Sequence, residues 1–141
     1  LHVLVVYLVA LVIGLSTSVA SAQTKALDVP EKNIVAAPRG ERLLVLLNLQ
    51  PDRDKLRAMS AEDASGTLIE TGKRYAADIL NSDRYRGQYK TAEVIFAFVV
   101  DMDEYSRPNY GGMVRVGTVS YQREEAGLKV VSTQLDTGVI R

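Results

Sequence analysis

Two clusters of side chains in this sequence have the types and spacing for chemistry. The first is acidic: Asp101-Met102-Asp103-Glu104 closes the most apolar stretch of the body of the chain. Alternate residues of a strand share a face, so Asp101 and Asp103 would project together. Paired carboxylates can hold a hard cation such as Ca²⁺, or work as acid and base on a glycosidic bond. The run lacks the Gly and the terminal Glu that an EF-hand loop needs at fixed places, and a glycosidase pair needs a set separation across a cleft. A solvated strand end is the expected role, and neither a metal nor a catalytic role is assigned.

The second cluster interleaves cations with aromatics. Arg84-Tyr85-Arg86-Gly87-Gln88-Tyr89-Lys90 is followed by Tyr105-Ser106-Arg107-Pro108-Asn109-Tyr110. Tyr and Arg are enriched where proteins meet partners, because both combine a large contact area with a polar end. Both segments fall between regular elements, and binding residues gather on loops held by a rigid scaffold. The candidate binding residues are therefore Arg84, Tyr85, Arg86 and Tyr89 in one connector, and Tyr105, Arg107 and Tyr110 in the other. A third pattern, from Gly66 to Gly72-Lys73, has the outline of a phosphate-binding loop. One residue too many separates its glycines, Arg74 stands where Ser or Thr is required, and a helix there would already use the backbone amides.

What the chain lacks narrows the chemistry further. It has no Cys, so thiolate catalysis, disulfides and Cys-based zinc sites are excluded. Its single His is His2, inside an apolar leader, so a body without that leader has no imidazole for a Ser-His-Asp or Cys-His arrangement. Lys and Arg together number 17 and so do Asp and Glu, for a net charge of zero. A nucleic-acid binder ordinarily carries a basic excess, so the expected partner is a protein or a small ligand, with no nucleic acid and no cofactor.

The elements that must position these residues follow from periodicity. Ser60-Ala61-Glu62-Asp63 resembles a capping box with Asp in the last place, and it opens a long amphipathic helix over about 61–81. Ala61, Ala64, Leu68, Gly72, Tyr75, Ala76, Ile79 and Leu80 form its apolar stripe, while Glu70, Lys73, Arg74 and Asp78 lie opposite. Pro51, with Asp52 and Asp54 behind it, starts a short helix to about Met59. Strands are expected over 93–102, 113–122 and 128–135, joined by the loop 103–112 and a tight turn at Glu124-Glu125-Ala126-Gly127. The Leu-rich run 41–50, stopped by Pro51, is read as a fourth strand buried on both faces. The expected fold is α+β: N-terminal helices packed on an antiparallel meander of three to four strands.

Ahead of this body, residues 1–24 carry no Asp, Glu, Lys or Arg, and Val3 begins an apolar run that ends near Leu15. Ser16-Thr17-Ser18 and then Ala20-Ser21-Ala22 follow, the small-residue exit of a signal peptide. The domain expectation is a signal peptide 1–22, an extended arm or linker 23–40 and a single α+β domain 41–141. Together these point to an exported domain, periplasmic or secreted, free of the membrane once the leader is cleaved, that binds a partner through its Tyr/Arg loops without catalysis. The alternative is a small-ligand-binding roll with a pocket between helix and sheet, served by Asp101, Asp103 or Tyr121 and possible as a carboxylate-based enzyme.

Overall fold

The structure is a computed structural model, and it describes residues 25–99 and 112–141. The leader 1–22, the acidic run 101–104 and the loop residues Tyr105, Arg107 and Tyr110 lie outside the described residues. Strands β1 (Ile34–Arg39) and β2 (Arg42–Asn48) come first, followed by helices α1 (Arg53–Arg57) and α2 (Ala61–Leu80). Strands β3 (Thr91–Val99), β4 (Met113–Glu124) and β5 (Gly127–Leu135) complete the order. The result is an α+β fold with one five-stranded sheet in the order β1-β2-β3-β4-β5.

The sheet is mixed, which corrects the expected meander of three to four antiparallel strands. β2 runs parallel to β3, pairing Val45 with Val94, while all other neighbours are antiparallel. Parallel neighbours need a long crossover, and α1 with α2 supplies it between β2 and β3. The extra strand is β1, inside the stretch read as an arm. Its sequence Ile-Val-Ala-Ala-Pro-Arg has too few large apolar residues to show a period of two. A tight turn at Gly40-Glu41 folds it back on β2, with Arg39 opposite Arg42 and Gly40 at φ +64°. Gly is the residue that enters such a two-residue hairpin turn without steric cost.

Helix α2 starts where its cap places it: the Ser60 hydroxyl accepts the Asp63 N–H at 3.1 Å. Ala64, Leu68, Gly72, Tyr75, Ala76 and Leu80 bury the stripe against Leu43, Val45, Val94, Phe96 and Tyr121 of the sheet. Thr67 and Thr71 are buried as well, whereas Ala61 is exposed and Ile79 half-buried. Gly72 marks the closest approach of helix and sheet. A Cβ there would collide with the Tyr121 hydroxyl and the Phe96 ring. At the far end of the helix Arg123 caps it, its guanidinium donating to Leu80 O at 3.0 Å.

Residues 25–30 are drawn onto α2. Leu27 and Val29 are buried in the core, and their amides donate to Thr71 Oγ1 at 2.9 Å and the Tyr75 hydroxyl at 2.7 Å. Arg74 reaches Asp28 at 2.8 Å over the top, and this hydrogen bond raises the guanidinium pKa further. On the opposite face of the sheet Val35, Leu44, Leu46 and Ile95 are half-buried, with no helix across them among the described residues.

Candidate binding groove

The connector between α2 and β3 is a chain of tight turns. Tyr85 and Arg86 donate their amides to Ser82 O, at 3.1 and 2.8 Å, and Gln88 donates to Tyr85 O at 3.0 Å. These turns fix the four connector candidates in different environments. Tyr85 is a core residue, 7% exposed, and its hydroxyl has no hydrogen-bond partner among the described residues. The Arg84 guanidinium lies 5.2 Å from the Tyr85 ring centroid, a cation–π distance. Arg86 turns to solvent, where it pairs with Asp83 at 3.3 Å and donates to Asn81 O at 3.3 Å. Tyr89 is half-buried and meets Tyr85 edge-on, with ring centroids 6.0 Å apart. The interleaved pattern thus divides: Tyr85 is the anchor, Arg84 and Arg86 decorate the connector, and Tyr89 borders open space.

That space is an open groove of about 1160 Å³ at one end of the sheet. Gln88, Tyr89 and Lys90 form one bank, and Arg39, Gly40, Glu41 and Arg42 of the β1–β2 turn form the other. Thr91 and Gln122 make the floor, and the Arg123 N–H donating to Lys90 O at 2.7 Å ties connector to sheet. Arg42 is engaged with Glu93 at 3.0 Å. Arg39 and Lys90 line the groove and have no carboxylate partner among the described residues, and Glu41 is the carboxylate on its lining. The chemistry on offer is recognition: cations for a carboxylate or phosphate, a Tyr face for an apolar or aromatic group, and amides to orient it.

Arg39, Arg42 and Gln122 are members of this groove that the sequence reading passed over. The usable signal was Arg39-Gly40-Glu41-Arg42, a Gly-X pair set between two short extended runs, which is a hairpin signature. Gln122 left no signal, because only strand pairing brings it opposite Thr91.

An open cleft of about 320 Å³ separates the end of α2 (Lys73, Ala77, Leu80) from the β4–β5 hairpin (Arg123, Glu124, Leu128), but beneath the middle of α2 the space between helix and sheet is closed. Leu68, Ala76, Phe96 and Tyr121 are fully buried there. The Tyr121 hydroxyl donates to Ile69 O at 2.7 Å, and burial, with Glu70 nearby, pushes its pKa well above the ordinary phenol value. It is locked as a neutral structural donor. Among the described residues no group of three His, Cys, Asp or Glu side chains is placed to hold a metal ion. No described helix is long and apolar enough to cross a membrane. Comparison of the chain with protein-family models, with curated proteins and with solved structures returns no match.

Proposed function

We propose that this chain is an exported, non-catalytic binding module, periplasmic or secreted, whose recognition surface is the groove between the β1–β2 turn and the connector 81–90. The observation that carries the reading is the meeting of Tyr89 and Lys90 with Arg39 and Arg42 on turns mounted at the ends of packed strands. A site built this way is held open by the scaffold, so little ordering entropy opposes binding. Arg39 and Lys90 on its lining fit a partner bearing an exposed carboxylate or phosphate, flanked by an apolar group that lies against Tyr89. Export is supported by the apolar leader and its Ala20-Ser21-Ala22 exit, with Leu27, the first core residue among the described residues, only a short distance beyond. The interface beneath the middle of α2 is filled by Phe96 and Tyr121, and the cleft of about 320 Å³ at the helix end is smaller than the groove of about 1160 Å³, which favours the groove as the place of binding.

The test is a titration of ¹⁵N-labelled protein with a short Glu-rich peptide ending in Phe, and separately with inorganic phosphate. Amide shifts confined to Gly40, Tyr89, Lys90 and Thr91 are expected with the peptide, and the double variant Arg39→Glu/Lys90→Glu should abolish them. Shifts scattered over the surface, or a variant that binds as well as the parent, would refute the groove. N-terminal sequencing of the chain recovered from outside the cytoplasm tests export, the expected first residue being Gln23.

A further inference from the structure

Helix α2 and the β4–β5 hairpin diverge at the helix end and leave the cleft of about 320 Å³ between them. Lys73, Ala77 and Leu80 recur at the four- and three-residue spacing of one helix face and form its first bank. Arg123 alternates with the helix-facing Tyr121 along β4 and pairs with Leu128 across the hairpin, and with Glu124 and Glu125 these two form the second bank. The hydrogen bond from the Arg123 guanidinium to Leu80 O at 3.0 Å joins the banks. The apolar surface between them is aliphatic. Leu80 is fully buried, Ala77 and Leu128 are half-buried, and no aromatic side chain among the described residues lines the cleft.

The charges around this surface are set apart. Lys73 on the helix has no carboxylate within ion-pair distance among the described residues, and Glu125 on the hairpin has no cation. Glu124 reaches Lys129 only at 3.9 Å. Opposite charges thus border one opening without meeting each other. We propose that the cleft is a site for a small zwitterion, an α-amino acid with an aliphatic side chain.

The ligand's carboxylate lies at Lys73 and Arg123, its ammonium at Glu124 and Glu125, and its side chain on Ala77 and Leu128. A lone carboxylate would sit beside Glu124 and Glu125 with nothing to offset them, and a lone ammonium would sit likewise beside Lys73 and Arg123. A zwitterion answers both. The volume is near the lower end of the roughly 300–1,000 Å³ usual for small-molecule sites, which suits a molecule of that size. Cleft and groove have no lining residue in common, so the two sites are tested separately.

Titration of the ¹⁵N-labelled chain with L-leucine is the experiment, with leucinamide and N-acetylleucine as ligands that keep the side chain but carry one charge each. L-Leucine is expected to give saturable shifts at Ala77, Asn81, Gly127 and Leu128, and none at Gly40 or Tyr89. Each single-charge analogue should bind about fivefold more weakly, the effect of one exposed charge pair. Ala77→Leu fills the cleft from a half-buried position and should abolish the shifts while keeping the parent's circular dichroism and urea midpoint. Lys73→Glu and Glu125→Lys should each weaken leucine by about fivefold or more, and the double variant, which exchanges the charges, should recover it. Absence of saturable shifts, analogues that bind as well as leucine, an Ala77→Leu variant that binds like the parent, or a double variant no better than the single ones overturns the proposal.

Discussion

At residue scale the molecule turns on Gly72 and Tyr121. The ring of Tyr121 occupies the volume that any side chain at 72 would need, and its hydroxyl crosses to the helix backbone at Ile69. Gly in a helix interior lowers helix stability, so its presence here is explained by packing. Gly72→Ala should therefore destabilise despite its better helix propensity. The expected loss is about 1–3 kcal/mol from overpacking, read as a lower urea midpoint. Tyr121 also gives a pH signature. The unfolded phenol ionises near its ordinary value of 10.0, while the buried one, pushed up, keeps its proton. Above that pH the unfolded state binds fewer protons than the folded one, so stability falls with rising pH, by up to about 1.4 kcal/mol per pH unit. Tyr121→Phe removes this dependence. Below pH 10 the variant should be weaker than the parent by about 1 kcal/mol for the lost hydrogen bond. The gap should shrink as pH climbs toward the raised folded value, and parallel urea melts across the alkaline range measure it.

At the scale of elements, the strongest test concerns the segment 25–30 and α2. The Tyr75 hydroxyl is the acceptor for the buried Val29 amide, so Tyr75→Phe leaves that N–H unpaired in the core. A loss of about 1–3 kcal/mol is expected. Faster hydrogen exchange at Val29, with little change at the β3 amides, distinguishes local release from general loosening. This contact also shows what a sequence can and cannot disclose. Helix α2 was legible because its stripe and its Ser60 cap repeat one message over many residues. β3, β4 and β5 were legible for the same reason, through β-branched runs separated by turn residues. β1 was not, since Ala36, Ala37 and Pro38 carry no periodic signal and become a strand only because β2 offers them a partner. The direction of β2 was hidden too, because a buried strand looks alike in parallel and antiparallel pairing. For the groove, composition pointed to the connector but not to which of its side chains face outward. Tyr85 and Tyr89 are the same residue type four apart, and only the turns at Ser82 and Tyr85 decide that one is core and the other border. Arg39 and Arg42 came from a hairpin that the reading did not contain.

For the whole molecule, the question is how early in the chain the cooperative unit begins. The core draws on Leu27 and Val29, residues that precede the first strand, and closes with Ile140 near the other end. Ile140 O also accepts from Arg57 Nε at 3.3 Å, so the last turn is bound to α1 as the first described segment is bound to α2. Both ends of the described chain are thus clamped to the crossover helices, and the five-stranded sheet is held on one face by a layer that begins and finishes outside it. Removing residues 1–22 should leave the urea midpoint of the domain unchanged, because the clamp starts at Leu27. Removing residues 1–30 instead deletes both buried side chains, each contributing about 1.5–3 kcal/mol. It also leaves Thr71 and Tyr75 without the backbone they bind, against a total stability of about 5–15 kcal/mol for an ordinary domain. The shorter truncation should therefore melt like the parent and the longer one several degrees lower or not fold at all. Equal melting of the two would mean that the cooperative unit starts at β1 and that the contacts of Leu27 and Val29 with α2 contribute nothing to it.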